Sequence, residues 1–196
     1  MGILAVRAIT NWAVVAAVAL LAGCSTAPPP RIAKVATPAV TNDVPYQWTT
    51  GKAPRAYKDM VAEFGKHGLK PGEYLWAASI PQQGETRIVI DRLMQTAYVY
   101  RDDKLVGATT VSTAKRGHIT PLGEWTILEK RPFYRSKKYD NAPMPWMQRI
   151  DEYGIALHGG GTPGFPESHG CIHLPMKFAQ KLYGLTKVGS KVVIEG

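Results

Sequence analysis

The sequence predicts a mainly β domain with one or two short helices, preceded by a proline-rich tether. Three observations predict this fold class. Strand-forming residues alternate with a period of two from Thr86 onwards, apolar residues at helical spacing occur in only two short segments, and proline is dense before residue 55. A chain of 196 residues has room for one ordinary domain and a short appendage.

The composition excludes several classes of protein. Charged residues make up 20% of the chain and hydrophobic residues 45%, which is typical of a globular domain. Two cysteines are too few for a disulfide-dense scaffold or a four-cysteine zinc module. There is no internal repeat and no glycine-rich phosphate loop. The net charge is +9, but there is no dense run of basic residues, only pairs such as Lys130-Arg131 and Lys137-Lys138, so the sequence does not predict a nucleic-acid partner.

Residues 1–23 have the features of a secretory signal peptide. Arg7 precedes an apolar run, residues 13–21, that is shorter than the ~20 residues needed to span a bilayer. An uncleaved N-terminal anchor is the alternative. Leu21-Ala22-Gly23-Cys24 resembles the lipobox of bacterial lipoproteins. The resemblance implies that Cys24 receives a diacylglycerol, and Ser25 after it favours the outer membrane, facing the periplasm, over the inner membrane.

The segment after Cys24 predicts a spacer and then a helix. Residues 24–54 are rich in proline and poor in large apolar residues, which predicts a disordered, semi-rigid tether. Residues 55–85 are predicted to be a short helical and linker region. Within it, a helix over 54–67 is indicated by residues at helical spacing, namely Ala56, Met60 and Phe64.

Residues 86–196 are predicted to form the β-rich domain. The predicted strands are 87–90, 95–100, 105–111, 123–128, 154–158 and 191–194, with a hairpin turn at 101–104. A helix is predicted over 175–183, because it begins at Pro175 and ends at Gly184.

The densest group of reactive side chains lies between His158 and His173. It contains three of the five histidines and the only cysteine of this domain, Cys171. A thiol attacks carbonyl groups as thiolate, and a neighbouring imidazole lowers the pKa of the thiol and shuttles its proton. Glycines around the cysteine let backbone N–H groups approach a reacting oxygen. The N–H groups of Gly170 and Cys171 are therefore candidates for stabilising an oxyanion.

These motifs resemble the catalytic domain of the L,D-transpeptidases, the YkuD family. The family signature is a His-Gly, a gap, and Ser/Thr-His-Gly-Cys followed by an apolar residue. It is matched by His158-Gly159 and by Ser168-His169-Gly170-Cys171-Ile172. The family's Thr-Pro-x-Gly segment is matched by Thr120-Pro121-Leu122-Gly123. The resemblance covers roughly residues 86–195 and implies the fold of this family, a β-sandwich or mixed sheet.

The resemblance also implies roles for individual residues. Cys171 is expected to be the nucleophile and His158 the general acid and base, while His169 shapes the site or helps to hold the oxyanion. The expected substrate-binding and oxyanion residues are Gly159, Ser168, Gly170 and His173. Of these, the Gly159 carbonyl is expected to fix the tautomer of His158, and Ser168 to form a hydrogen bond within the turn.

One position departs from the family. After Cys171 and an apolar residue many members carry Arg, whereas this chain has His173. Arg presents a rigid fork to a carboxylate and His does not, so Arg149 or Lys115 is the expected substitute for binding a substrate carboxylate. Only ten positions separate His158 from Ser168, so a lid over the site is expected from residues 131–147.

The activity implied by the resemblance is that of a cysteine L,D-transpeptidase acting on tetrapeptide stems of peptidoglycan through a thioester, in cell-wall cross-linking or remodelling. Water in place of an amine acceptor gives L,D-carboxypeptidase activity. No cofactor and no metal are expected, and carbapenem-type inhibitors are expected to acylate the cysteine.

Two alternatives remain open at this point. His169, Cys171 and His173, with His158, could form the ligand set of a zinc-dependent peptidoglycan hydrolase. A non-catalytic wall-binding lipoprotein is the other alternative, although such a protein has no need of a thiol.

Overall fold

The computed structural model describes residues 48–196, which form ten strands and two helices. The predicted signal peptide, Cys24 and the tether up to residue 47 lie outside the described residues. Within residues 48–196, neither helix has the length and apolar character needed to cross a bilayer.

Six strands form the larger sheet, in the order β1-β4-β3-β2-β10-β5. Neighbouring strands are antiparallel, except that β10 runs parallel to β2. The strand bounds are β1 Tyr74–Trp76, β2 Thr86–Asp91, β3 Thr96–Arg101, β4 Lys104–Thr110, β5 Gly123–Thr126 and β10 Lys191–Glu195.

Four short strands form the smaller sheet, in the order β6-β7-β8-β9. Strands β6, β7 and β8 are antiparallel, and β9 runs parallel to β8. Their bounds are β6 Glu129–Arg131, β7 Met147–Arg149, β8 Ala156–Gly159 and β9 Ile172–Leu174.

The main core lies where the two sheets and the helix α2, Met176–Leu185, meet. Its fully buried side chains come from both sheets and from the helix, for example Ile88, Leu157 and Phe178. A second apolar cluster fills the other face of the larger sheet beneath the helix α1, Lys52–Phe64. The larger sheet is therefore covered on both faces.

The first turn of α1 is held by a carboxylate from the far end of the chain. The Glu195 carboxylate is fully buried and accepts hydrogen bonds from the backbone N–H groups of Thr50 (2.7 Å), Lys52 (3.2 Å) and Ala53 (2.8 Å). It also accepts from the hydroxyls of Thr49 and Thr50. These bonds satisfy N–H groups that a helix start leaves without partners. The folded body therefore begins before residue 54, where the tether was expected to end.

Burial acts to raise the pKa of Glu195, but the hydrogen bonds from Thr50, Ala53 and Lys52 outweigh it, so the pKa lies below its ordinary value.

We expect Glu195→Gln to reduce the free energy of unfolding by about 2 kcal/mol, because the amide brings N–H groups against N–H donors. A carboxylate with a lowered pKa stabilises the fold above its unfolded pKa of about 4.3 and loses this effect as the pH falls. Urea unfolding at pH 7 and pH 3.5 tests this. An equal loss at both pH values would contradict it.

The prediction of a mainly β fold is confirmed. All six predicted strands and both predicted helices are present, with bounds that agree within a few residues. Two expectations about boundaries are wrong. The helix predicted over 54–67 runs from Lys52 to Phe64, because Glu195 caps it two residues early and Gly65, at φ 65°, ends it. The linker region 55–85 contributes β1 to the larger sheet, with Tyr74 opposite Thr109.

Candidate active site

A cavity of about 440 Å³ opens beside the smaller sheet. Five of the predicted site residues line it, namely His158, Gly159, His169, Cys171 and His173. The other two predicted residues of the domain, Ser168 and Gly170, are buried behind it. The far wall of the cavity comes from residues 132–146, which we call the arm.

The pairing of β8 with β9 brings the cysteine and the histidine to one face. Leu157 lies opposite Ile172 and both are fully buried in the core. Because side chains alternate along a strand, the residues beside them, His158 on β8 and Cys171 just before β9, face away from the core into the cavity. They lie two register positions apart on adjacent strands, a diagonal separation that longer side chains can span.

The turn that carries Cys171 is held by the Ser168 hydroxyl. Ser168 Oγ donates to the carbonyl of Cys171 (2.6 Å) and accepts from the N–H of Gly170 (3.1 Å). Ser168 is 1% exposed, so it supports the turn and does not face a substrate. The Gly170 N–H is occupied by this bond. Of the two N–H groups expected to stabilise an oxyanion, that of Gly170 is thus bonded within the turn, and we take the Cys171 N–H as the candidate donor.

Gly170 could not be another residue. Its φ is 132°, and a Cβ would lie 2.5 Å from Ile155 Cδ1 and 3.0 Å from the carbonyl oxygen of Ile119. Its own carbonyl accepts a 2.7 Å hydrogen bond from the buried Thr120 hydroxyl, which accepts in turn from the Ala114 N–H (3.0 Å). The Thr-Pro-x-Gly segment thus fixes the backbone directly before the cysteine.

We expect Thr120→Val to slow acylation of Cys171 about tenfold and to cost about 2 kcal/mol of stability, since two buried polar groups lose their partner. Thr120→Ser, which keeps the hydroxyl, should remain close to wild type. Stopped-flow acylation by a carbapenem, together with urea unfolding, measures both effects. Equal behaviour of the two variants would show that the hydroxyl does not hold the turn.

One ring nitrogen of His158 is hydrogen-bonded within the protein and the other is free. Its Nδ1 lies 3.0 Å from the carbonyl of Gly159, and since a carbonyl only accepts, Nδ1 carries the proton. This contact is the one expected from the sequence. Burial, assisted by the nearby His173, lowers the pKa of His158 to about 4. At neutral pH the ring is therefore uncharged, with Nε2 free to accept a proton.

Cys171 rests as a thiol. Its Sγ donates a long hydrogen bond to the Gly154 carbonyl (3.7 Å), and the side chain packs against a small cluster of Met144, Met147 and Ala156. Burial raises the pKa of the thiol, and a backbone hydrogen bond with Ala156 offsets this only in part. The expectation that the site lowers this pKa is wrong, because burial of the thiol has the larger effect.

His169 lies in a stack of three rings. The Tyr139 ring is stacked on it, with centroids 4.5 Å apart, and the His118 ring meets its edge at 4.7 Å. Neither His118 nor Tyr139 was predicted from the sequence to be a site residue. His169 joins the arm to the turn that carries Cys171, which agrees with a role in shaping the site.

His173 faces His158, with ring centroids 4.8 Å apart. Its Nδ1 lies 3.7 Å from the Glu167 carboxylate, and burial lowers its pKa although Glu167 opposes this. The expected substitute for the family's arginine, Arg149, lines the cavity, but its guanidinium is bound to Glu129 (2.9 Å) and to the Asp151 carbonyl (2.7 Å). Arg149 is therefore occupied within the protein.

The arm is a hairpin that covers the cavity, as expected for residues 131–147. Asp140 and Asn141 both have positive φ (43° and 54°), which is the conformation of a tight two-residue hairpin turn. Backbone bonds between Ser136 and Ala142 and between Tyr134 and Met144 close the hairpin. The tyrosines and the methionine that the arm brings to the cavity were not legible as site residues, because their position depends on this turn.

Among residues 48–196, no three His, Cys, Asp or Glu side chains are placed to hold a metal ion together. The zinc alternative needs His169 beside Cys171 and His173. In the structure His169 lies outside β9, between Tyr139 and His118. The residues present do not fit a zinc site.

Comparison with known proteins agrees with this geometry. The model of the YkuD L,D-transpeptidase catalytic domain matches residues 85–194. A Bacillus subtilis (strain 168) protein, YqjB, which is named provisionally as an L,D-transpeptidase, is 26% identical over 129 residues, covering 58% of this chain and 73% of YqjB.

Two solved structures have a similar fold. An L,D-transpeptidase from Stackebrandtia nassauensis is 26% identical with a TM-score of 0.54, over 72% of this chain and 64% of that one. The LD transpeptidase LdtMt1, solved in complex with imipenem, is 18% identical with a TM-score of 0.52, over 56% of this chain and 58% of that one. The chain thus spans less than two thirds of each solved protein. Since the family model covers more than half of the chain, the protein belongs to the YkuD family of L,D-transpeptidase catalytic domains.

Proposed function

We propose that the protein is a cysteine L,D-transpeptidase that acts on tetrapeptide stems of peptidoglycan, in cell-wall cross-linking or remodelling. The observation that supports this most strongly is that Cys171 and an uncharged His158 line the same cavity from adjacent strands. A neutral thiol and a neutral imidazole are the starting state for general-base attack on an amide.

In the first half-reaction, Cys171 Sγ attacks the carbonyl carbon of the third stem residue while its proton passes to His158 Nε2. The Cys171 N–H then donates a hydrogen bond to the oxygen that becomes negative. His158 then returns the proton to the departing amine of D-alanine. The C–N bond breaks and a thioester remains on Cys171.

In the second half-reaction, an amine attacks the thioester carbonyl and gives its proton to His158, which returns it to the sulfur. The thioester conserves the acyl energy of the original amide, so the exchange needs no nucleotide and no cofactor. When water attacks instead, the result is carboxypeptidase activity. The acceptor amine comes from a neighbouring stem, a lipoprotein lysine or a free D-amino acid.

The direct test is to incubate the purified protein with tetrapeptide-rich sacculi and to analyse the muropeptides by mass. We expect release of D-alanine together with a cross-linked, exchanged or trimmed product. Unchanged muropeptides under conditions where the protein is folded would contradict the proposal. Activity lost with EDTA and restored by Zn²⁺ would favour a zinc hydrolase instead.

We further propose that carbapenems acylate Cys171. The support is the fold shared with LdtMt1, which was solved with imipenem, and a cavity that exposes part of the cysteine. Intact mass after incubation with imipenem tests this, and an unmodified protein would contradict it.

We propose that the enzyme is a lipoprotein, anchored through Cys24 to the outer membrane and facing the periplasm. The support is the lipobox-like sequence that ends at Cys24. Two or more acyl chains are needed for stable anchoring, since each buried CH₂ contributes about 0.8 kcal/mol. We expect Cys24→Ser to leave the membrane fraction or to remain unprocessed. A variant of mature mass that stays in the membrane fraction would contradict the anchoring.

A further inference from the structure

The arm begins in the most basic stretch of the chain. Five of the nine residues from 130 to 138 are cationic, and the first acidic residue after them is Asp140. Two of the five are used within the protein. Lys130 Nζ donates to the carbonyls of Tyr183 (2.6 Å) and Thr186, and Arg131 pairs with Glu129.

The other three cations, Arg135, Lys137 and Lys138, are exposed and form no ion pair with a carboxylate of residues 48–196. The contacts of Arg135 and Lys138 are with backbone carbonyls, those of Asn141 (2.9 Å) and Tyr153 (3.2 Å). Such contacts orient the side chains and leave their charge uncompensated. The carboxylates of Asp140, in the arm, and Glu152, which lines the same cavity, form no ion pair with them, so the arm presents three cations that are not paired within residues 48–196.

These charges lie at the mouth of the catalytic cavity. Lys137 and Lys138 line the cavity that contains Cys171, and Arg135 lines a neighbouring cavity of about 380 Å³. The two cavities share Tyr134 and Pro143, so they meet at the arm. Phe133, which is 83% exposed, adds an apolar surface on the outer side.

The hairpin fixes the backbone that carries these side chains. It is closed by backbone bonds, Ser136 Oγ accepts from the N–H groups of Lys138 and Tyr139, and the Tyr139 ring rests on His169. A positioned set of cations binds anions at a lower entropic cost than a mobile one.

We propose that Arg135, Lys137 and Lys138 bind the carboxylates of the acyl acceptor, an acidic stem peptide. This inference rests on the proposed function. Stem peptides carry several carboxylates, and an acceptor must approach Cys171 while the donor acyl group fills the space beside His158. A peptide that runs from the neighbouring cavity, past the arm, to the thioester meets all three cations. The arm thereby favours an acidic peptide over water as the acceptor.

The test uses the full-length protein with saturating tetrapeptide donor and a tripeptide stem as acceptor, which has an amine but no terminal D-alanine to lose. The variant replaces Arg135, Lys137 and Lys138 with Gln. We expect the acceptor KM to rise about tenfold, since each exposed pair contributes a factor of about two or three. The burst of D-alanine that reports acylation should keep its rate constant. When the carboxylates of the acceptor are amidated, its KM should differ less than twofold between the variant and the wild type.

A control variant removes three other exposed lysines, Lys58, Lys104 and Lys177, and so matches the change in net charge. Its acceptor KM should equal that of the wild type. Lys137→Glu is a second variant that leaves the backbone contacts of the arm intact, and it should raise the acceptor KM about fivefold.

Several results would overturn the inference. The first is an acceptor KM that is unchanged in the triple Gln variant. The second is an equal rise in KM for the amidated acceptor, and the third is an equal rise in acceptor KM in the control variant. Loss of binding to phosphatidylglycerol vesicles with an unchanged acceptor KM would also overturn it and would make the arm a lipid-binding surface. Failure of the proposed function would give a different result from failure of this inference, because the wild type itself would then release no D-alanine.

Discussion

Replacing Cys171 with alanine should lower D-alanine release from tetrapeptide stems by about 10⁴-fold or more, because the covalent route is lost entirely. The side chain is partly exposed, packs against a small apolar cluster and makes one long hydrogen bond to the Gly154 carbonyl, so the fold should survive. Release of D-alanine by the purified variant, measured against wild type at equal concentration, checks the prediction.

Two controls make this result specific. The thermal unfolding temperature of Cys171→Ala should stay within a few degrees of wild type, and Cys24→Ser assayed in detergent should retain turnover. The chain has only two cysteines, so together these variants test every thiol. Turnover retained by Cys171→Ala would exclude the proposed mechanism.

Replacing His158 with glutamine should slow acylation of Cys171 by about 10³-fold, because glutamine fills similar space but cannot accept a proton. The acylation rate constant itself should decrease, so a change in thermal stability alone would not fulfil this prediction. Stopped-flow acylation by a carbapenem measures it. His67→Gln, at an exposed position, is the matched control and should behave as wild type.

The pH dependence of the wild type tests the same role. A base works when it is uncharged, and burial lowers the pKa of His158 to about 4. Acylation should therefore be constant from about pH 5.5 to pH 8 and should decline only as the pH falls towards 4. An inflection near pH 6.5, the ordinary pKa of histidine, would show that the buried neutral ring is not the working base.

Much of the fold could be predicted from local patterns. Strands β2, β3, β4 and β10 have enough strand-forming residues to be recognised, and α2 has a proline at its start. Strands β1, β6, β7 and β9 were missed as elements because each has only three residues, too few to show an alternation. These short strands are specified by their partners across the sheet and not by their own composition.

The candidate site was predictable where its residues are adjacent in sequence. Cys171, Ser168 and His169 form one motif in the sequence. The register of β8 and β9 brings His158 and His173, which the sequence also indicated, to the same site. Tyr139 and Thr120 lie far from Cys171 in the sequence, and only the folded chain brings them to the turn.

The ionisation of the site could not be predicted from its composition. The sequence suggested an imidazole that lowers the pKa of Cys171, whereas burial raises that pKa and lowers the pKa of His158. The cause is desolvation, which depends on the surrounding packing. Similarly, the sequence could not reveal that the Gly170 N–H is bound to Ser168.

The most direct measurement is the mass of the protein during turnover. We would mix wild-type enzyme with a disaccharide tetrapeptide, quench with acid within the burst of D-alanine release, and map the modified peptide. We expect a protein heavier by the stem minus its terminal D-alanine, with the added mass on Cys171. Release of D-alanine with no added mass, or with the mass on another residue, would contradict it.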